Sequence, residues 1–198
     1  MNMTTFDFGN GPVPAHKHPN GGGWVADTAK VADTSYVASD AKVFGNARVS
    51  DDARVFENAK VYGNAQVFDN AKVCSDAKVF SNAQVYGDAW VYGDAQVFIN
   101  AQVFENAKVY GNALVFENAK VYGNAWVFDN SQVYGDACVF DNALVLDNAW
   151  VYGDARVDGN AWVSSNARVA GYAWVYDDAE EDMFIEMNGK RYNLVEVE

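Results

Sequence analysis

The sequence contains few of the residues and segments that mark the commoner functional classes. Its 198 residues include two histidines and two cysteines, and 27 Asp and Glu outnumber 14 Lys and Arg to give a net charge of −13. Few basic residues argue against direct binding to nucleic acids or membranes, where basic patches supply affinity. No apolar run approaches the ~20 residues of a membrane span, and the N-terminus lacks the basic start and apolar run of a signal peptide. We expect a soluble, cytoplasmic protein.

The scarce cysteines and histidines also limit the chemistry that the chain can perform. Cys74 and Cys138 cannot form a disulfide framework and occupy different places in the repeat described below, so we expect reduced thiols. His16 and His18 lie in one short segment, and two ligands are too few for a closed zinc site. The glycines at 21–23 lack the lysine and the helix of a phosphate-binding loop. We therefore expect no metal site and no cofactor.

What the sequence has in abundance is a six-residue repeat, which runs without insertion from Trp24 to Ala179. Its 26 hexads have Val in the second place throughout, Ala in the sixth place in 24, Asn or Asp in the fifth in 23, and Phe or Tyr in the third in 17. Alternate side chains of an extended segment point to opposite faces, so the Val and Ala share one face. We expect this face to be buried, with the first-place and third-place residues pointing outward.

The fourth and fifth places of the hexads have the composition of a tight corner. Pairs such as Gly63–Asn64 and Gly93–Asp94 recur there. Gly, Asn and Asp tolerate left-handed backbone angles and form local hydrogen bonds, which a corner requires. A short strand followed by a corner, repeated so regularly, predicts a coil and not a sheet of hairpins.

The sequence resembles the hexapeptide-repeat family, in which an aliphatic residue is followed four places later by a small one, as in Val61 and Ala65. The resemblance covers 156 of the 198 residues. It implies an all-β, single-stranded left-handed parallel β-helix of triangular section, with three hexads per coil and about nine coils; the periodicity alone leaves the hand open. The aromatic third place departs from the usual pattern, and the chain is most similar to the V-Y-G-N-A type of uncharacterised bacterial and phage proteins.

This interpretation divides the chain into three segments. Residues 1–23 form an N-terminal cap segment, residues 24–179 the β-helix, and residues 180–198 a C-terminal β-hairpin. Coils contact only their neighbours, so both open ends need covering. Asn188–Gly189 is a two-residue turn signal between alternating apolar strands.

Three hexads per coil place every third hexad on the same face of the rod. We call the faces face 1, face 2 and face 3, whose first-place rows begin at Lys30, Trp24 and Tyr36. From Trp90 to Trp162, face 3 is predicted to be an almost continuous apolar plane, interrupted at Lys108, and such patches mark contact surfaces. Its predicted interface residues are Trp90, Tyr92, Tyr110, Trp126, Phe128, Leu144, Leu146 and Trp162. Two alternatives remain: stacked rings that only stabilise the coils, and rings that bind a sugar or another small molecule.

The corner that follows face 1 is predicted to carry an acidic ridge. Its members are Asp33, Asp51, Asp52, Asp69, Asp88, Glu105 and Asp141. A row of carboxylates imitates the phosphates of a DNA duplex, whereas solvated turn residues are the simpler explanation. Calcium binds carboxylate oxygens, but the dense D-x-D pattern of calcium-binding repeats is absent.

The resemblance also bears on catalysis. Hexapeptide acyltransferases use a histidine base and a loop that breaks the repeat, and related carbonic anhydrases need three histidines; between residues 24 and 179 there is neither a histidine nor an inserted loop. We predict no catalytic residues and a non-catalytic structural or interaction protein, an acidic rod that binds another copy or a protein partner through face 3. One alternative is an acidic decoy that inhibits a DNA-handling or defence enzyme. The other is a divergent acyltransferase with a site between subunits.

Overall fold

The protein is a parallel β-solenoid of about nine coils, which confirms the predicted all-β repeat architecture. The computed structural model describes residues 4–177, together with the backbone of residues 184–187 and 190–193. Among these residues, no helix has the length and apolar character needed to cross a membrane.

Each of the three faces is one sheet, whose strands follow one another along the rod. The sheet of face 1 contains, in spatial order, β4 (Lys30–Val31), β7 (Arg48–Val49), β10 (Gln66–Val67), β13 (Gln84–Val85), β16 (Gln102–Val103), β19 (Lys120–Val121), β22 (Cys138–Val139), β25 (Arg156–Gly159), β28 (Trp174–Asp177), β29 (Phe184–Met187) and β30 (Lys190–Asn193). The sheet of face 2 contains β1 (Thr5–Asp7), β2 (Pro12–Lys17), β3 (Trp24–Ala26), β6 (Lys42–Val43), β9 (Lys60–Val61), β12 (Lys78–Val79), β15 (Gln96–Val97), β18 (Leu114–Val115), β21 (Gln132–Val133), β24 (Trp150–Val151) and β27 (Arg168–Val169). The sheet of face 3 contains β5 (Tyr36–Val37), β8 (Arg54–Val55), β11 (Lys72–Val73), β14 (Trp90–Val91), β17 (Lys108–Val109), β20 (Trp126–Val127), β23 (Leu144–Val145) and β26 (Trp162–Val163).

The register between coils is constant. Val67 lies beside Val49 on one side and Val85 on the other, and equivalent parallel pairs join residues 18 apart throughout the repeat. Each side chain therefore lies against the same place of the hexad in the next coil. This register makes every row along the rod a row of equivalent positions.

The core consists of the second-place valines and the sixth-place alanines. Between Val37 and Ala161 each of them is at most 1% exposed. Ser131, which stands in one alanine position, is also buried, and its hydroxyl donates to the Phe128 carbonyl at 2.7 Å. Between residues 37 and 161 the predicted inward and outward directions are thus confirmed, and small side chains fill the core there.

The corners turn at the fourth place of the hexad. From Gly45 to Gly171 every fourth-place residue has φ between +56° and +76°. Glycine adopts this region without cost, and the other residues there are mainly Asp, Glu and Ser. Across the corner the sixth-place N–H donates to the third-place carbonyl, as from Ala71 to Phe68 at 3.3 Å.

Both ends of the solenoid carry antiparallel strands. Strand β2 pairs with β3 of the first coil, and β1 pairs with β2. At the other end β29 pairs antiparallel with β28 and with β30, and the predicted Asn188–Gly189 turn lies outside the described residues. The role of both segments as caps remains a prediction.

A single valine in the middle of the rod tests the importance of the core. Val97 is fully buried, and Val97→Ala removes two buried carbons from the core. The strand pairing on both sides of Val97 keeps the backbone from moving in to fill the space. We expect a loss of about 2 kcal/mol in the free energy of unfolding. Gln96→Ala alters the adjacent outward residue and serves as the control in thermal unfolding followed by circular dichroism. Equal midpoints for the two variants would contradict the core assignment.

Candidate functional site

The structure places all eight predicted interface residues on the sheet of face 3. Trp90, Trp126, Leu144 and Trp162 stand in the first-place row, and Tyr92, Tyr110, Phe128 and Leu146 in the third-place row. Direct pairing joins Trp126 to Leu144 and Leu144 to Trp162 across neighbouring strands. The residues therefore form one surface, and its use as an interface stays a prediction.

Three consecutive third-place rings of face 3 form a continuous stack. Tyr92 and Tyr110 have ring centroids 4.7 Å apart, and Tyr110 and Phe128 4.8 Å apart, with nearly parallel planes. Burial raises the pKa of both tyrosines above its ordinary value, and nearby side chains that become negatively charged add to the effect. Ring stacking of this kind stabilises neighbouring coils. This row therefore supports the alternative in which the stacked rings only stabilise the coils.

The indoles of face 3 are oriented differently and are much more accessible. Trp90 is 37% exposed, Trp126 38% and Trp162 62%. The indole planes of Trp90 and Trp126 are steeply inclined to the neighbouring phenol rings, at 76° to Tyr92 and 71° to Tyr110. These indoles therefore stand outside the ladder and leave large apolar surface at the face.

Lysines accompany two of these indoles. The Lys72 ammonium lies 4.8 Å from the centre of the Trp90 ring, and the Lys108 ammonium 4.5 Å from that of Trp126. Both distances suit a cation–π interaction. Lys108 was predicted to interrupt the apolar plane, and the structure shows its charged end lying over the neighbouring indole.

The acidic ridge has a part in the hydrogen bonding of the corner. Asp51 accepts a hydrogen bond from the Asp69 N–H at 3.3 Å, Asp69 from the Gly87 N–H at 3.0 Å, and Glu105 from the Gly123 N–H at 2.8 Å. In each case the carboxylate satisfies an amide one coil further along. The remaining ridge residues follow the same corner and include Asp33, Asp52, Asp141, which are exposed, and Asp88, which accepts from the Asn70 side chain at 3.0 Å.

The fifth-place asparagines form side-chain ladders along the corners. In the longest one, each amide donates to the side-chain oxygen one coil later, through Asn46, Asn64, Asn82, Asn100, Asn118 and Asp136. The ladder ends at Asp136 because an ionised carboxylate accepts hydrogen bonds but cannot donate one.

The two histidines have separate roles, which the sequence did not reveal. His18 is 3% exposed; Asn20 N–H donates to its Nδ1, and its Nε2 lies 3.2 Å from the Ala32 carbonyl. His16 is half-exposed and its Nδ1 lies 2.8 Å from the Asp27 carboxylate. No group of three His, Cys, Asp or Glu in the described part of the chain is arranged to hold a metal ion.

His16 also lines a surface cavity of about 720 Å³ at the start of face 1. The cavity lies beside Lys30, Arg48, Ser50 and Phe68. Sequence reasoning missed this site because the path of the N-terminal segment, which brings His16 to Asp27, is not part of the six-residue period.

A buried carboxyl group interrupts the aromatic row near the other end of face 1. Asp158 stands in a third place, is 8% exposed and accepts a hydrogen bond from the Trp174 indole at 2.9 Å. Burial raises the pKa of this carboxyl group, an effect that the hydrogen bond from Trp174 partly opposes and the nearby Asp141 increases. The pairing of β25 with β28 brings Asp158 and Trp174 together.

Comparisons with known proteins support the fold. A family model described as the YdcK beta solenoid repeat matches residues 83–97. Among solved structures, a UDP-N-acetylglucosamine acyltransferase from Campylobacter jejuni is similar, with a TM-score of 0.54 and 14% identity over 82% of this chain and 73% of its own. No curated protein matches the sequence. At this identity the likeness shows the β-helix repeat fold alone.

The direction of the asparagine ladder can be tested with a pair of opposite substitutions. Asn100→Asp retains the hydrogen bond from Asn82 but loses the donor to Asn118, and should lower the free energy of unfolding by about 1 kcal/mol. Asp136→Asn gains a donor that can reach Asp154 in the next coil and removes one of two neighbouring like charges, so it should raise the thermal midpoint. A change of the same sign in both variants, measured by calorimetry, would contradict the ladder.

The burial of Asp158 predicts a specific pH dependence of stability. Because the folded-state pKa is raised, the stability associated with the protonated carboxyl is complete below its ordinary pKa and is lost as pH rises through the folded value. Asp158→Asn cannot ionise and can still accept from Trp174, so it should lack this loss. The test compares the thermal midpoints of the wild type and the variant from about pH 3 to about pH 7. Asp33→Asn at an exposed corner is the control, and parallel curves for wild type and Asp158→Asn would refute the prediction.

Proposed function

We propose that the protein is a non-catalytic interaction module, a rod that self-associates through face 3. The supporting observation is the row of accessible indoles Trp90, Trp126 and Trp162, which recur at every second coil of one in-register sheet. Exposed aromatic surface in register over five coils is typical of a contact surface. The finer resemblance, to V-Y-G-N-A proteins of bacteria and phages, and a cytoplasmic location belong to this proposal.

The size of face 3 bears on the kind of contact that it can make. Eight strands at ~4.8 Å and a hexad edge of ~18 Å give a surface of roughly 700 Å², close to the ~800 Å² that each partner buries in a standard interface. A stable dimer therefore needs the whole face and not only the indole half. The other half includes Tyr36, Arg54 and Lys72.

An antiparallel two-fold dimer satisfies this requirement. In such a dimer the cationic end of each face 3, with Arg54 and Lys72, lies over the indole end of the other, with Trp126 and Trp162. A two-fold contact uses the same patch on both copies. The contact between Lys108 and Trp126 within one chain provides a local example of the pairing that would form between chains.

The acidic decoy receives less support from the structure. Asp51, Asp69 and Glu105 bind backbone amides of the rod itself, which explains acidic residues at this corner without an external partner.

The divergent acyltransferase requires a site at a subunit junction. A bound acyl carrier or nucleotide there is the observation that would favour it.

A double substitution on face 3 tests the proposal directly. We expect the wild type, whose chain mass is 21.7 kDa, to elute as a dimer and Trp126→Lys with Trp162→Lys as a monomer in gel filtration coupled to light scattering. Lysine at these exposed positions puts charge into the contact without disturbing the Val and Ala core. Trp150→Lys on face 2, where Arg168 lies 4.5 Å from the indole, is the matched control and should keep the dimer mass.

The effect of salt and of the double substitution distinguishes apolar self-association through face 3 from a contact elsewhere and from binding of a different protein. A dimer that persists at low and high salt supports apolar burial, since charged contacts weaken with salt. A dimer unaffected by the double substitution would place the contact elsewhere. A monomeric wild type would refute self-association and leave a different protein as the partner of face 3.

A further inference from the structure

The aromatic ladder of face 1 begins at Phe68, two coils after the start of the solenoid. Phe68 stacks on Tyr86 with centroids 4.8 Å apart and planes 3° from parallel, and the ladder continues through Phe104. In the two preceding coils the third place is Ser50 and Ala32. In residues 4–177, no second ring stacks on the side of Phe68 that faces Ser50.

On face 2 the chain itself shows what such a position accommodates. The face 2 ladder begins at Phe44, and the third place of the preceding coil is Ala26. The Phe8 ring, from the N-terminal segment, lies over Phe44 with centroids 4.9 Å apart and planes 22° from parallel. A planar ring from outside the repeat can therefore extend a ladder of this protein by one step.

The corresponding position on face 1 opens into the 720 Å³ cavity near the N-terminal end of the rod. The cavity is lined by Phe68 and Ser50, which are neighbours in the third-place row, and by the partly buried Val31. The volume exceeds the ~300 Å³ at the lower end of small-molecule sites. The cavity thus has the space and the apolar surface for a planar ring.

Two cationic side chains line the same cavity. Lys30 and Arg48 are direct partners on neighbouring strands, about 4.8 Å apart at the backbone, and like charges placed directly opposite each other are destabilising. Neither forms an ion pair within the described part of the chain. The carboxylate of Asp27, at the same end of the rod, is already bonded to His16.

The lysine row of face 2 shows that this surplus of positive charge is local. There Lys42, Lys60 and Lys78 share a groove with three corner carboxylates, those of Asp40, Asp76 and Asp94. In the face 1 cavity the lining residues include Lys30, Arg48 and His16 but no carboxylate. In a chain of net charge −13, this cavity is therefore suited to an anion.

We propose that the cavity binds a small planar aromatic molecule that carries a carboxylate or a phosphate. Its ring stacks on Phe68 above Ser50 and extends the ladder as Phe8 does on face 2. Its anionic group forms charge-assisted hydrogen bonds with Lys30 and Arg48. The site lies on face 1 and is independent of the contact proposed for face 3.

The test measures binding of defined probes to the full chain by calorimetry. 2-Naphthoate and 2-naphthyl phosphate should bind with dissociation constants below ~1 mM, and their relative affinities identify which anionic group the site prefers. 2-Naphthylmethanol, which keeps the ring without the charge, and cyclohexanecarboxylate, which keeps the charge without the aromatic face, should each bind at least ~10-fold more weakly. Absence of binding by both naphthyl anions, or equal binding of cyclohexanecarboxylate, would overturn the proposal.

Substitutions locate the probe within the cavity. Arg48→Gln and Lys30→Gln should each weaken binding by ~10-fold or more, because each removes a charge-assisted contact. Ser50→Phe places the chain's own ring on Phe68 and should abolish binding while raising the thermal midpoint. Ala170→Phe, which adds a ring beyond Tyr152 at the far end of the face 2 ladder, is the matched control and should bind as the wild type does. Undiminished binding by Ser50→Phe would show that the probe binds elsewhere.

Discussion

The in-register stacking of coils is the constraint on which the rest of the structure depends. At a spacing of ~4.8 Å every side chain lies beside the residue in the same place of the next coil, so a row is most stable when its residue type packs well against itself. Valine and alanine do so in the core, phenyl rings do so at the third place, and asparagine amides do so at the corner. Carboxylates repel one another; Asp51, Asp69 and Glu105 of the ridge bind backbone amides instead, and an aspartate ends the longest ladder.

The parts of the fold that follow from the period could be predicted from the sequence. The burial of the second and sixth places, the three faces and the sharing of one face by Trp90 and Trp162 depend only on six residues per edge and 18 per coil. The contacts that the sequence did not reveal lie outside this period. They include the bond of His16 to Asp27 and the stacking of Phe8 on Phe44, which depend on how the N-terminal segment turns back over the first coil.

The three faces have the same backbone arrangement and differ in the outward side chains of their first-place and third-place rows. Face 3 combines accessible indoles with lysines that lie over them. Face 1 begins with cations beside the open side of a ring, and face 2 has the corresponding position filled by Phe8. A repeat of this kind separates stability from recognition, since outward residues change while the Val and Ala interior stays constant.

The alternation of indoles along face 3 has a consequence for alignment. A perfectly repetitive surface can slide by one coil and recover all its contacts, so it does not define where two rods meet. On face 3 the indoles of Trp90, Trp126 and Trp162 alternate with Lys108 and Leu144, and a shift of one coil brings unlike side chains together. The smallest shift that brings indole positions onto indole positions again is two coils, ~9.6 Å. The indoles of face 3 therefore repeat at twice the spacing of the coils. A partner that recognises them has half as many equivalent positions along the rod as one that recognises every coil.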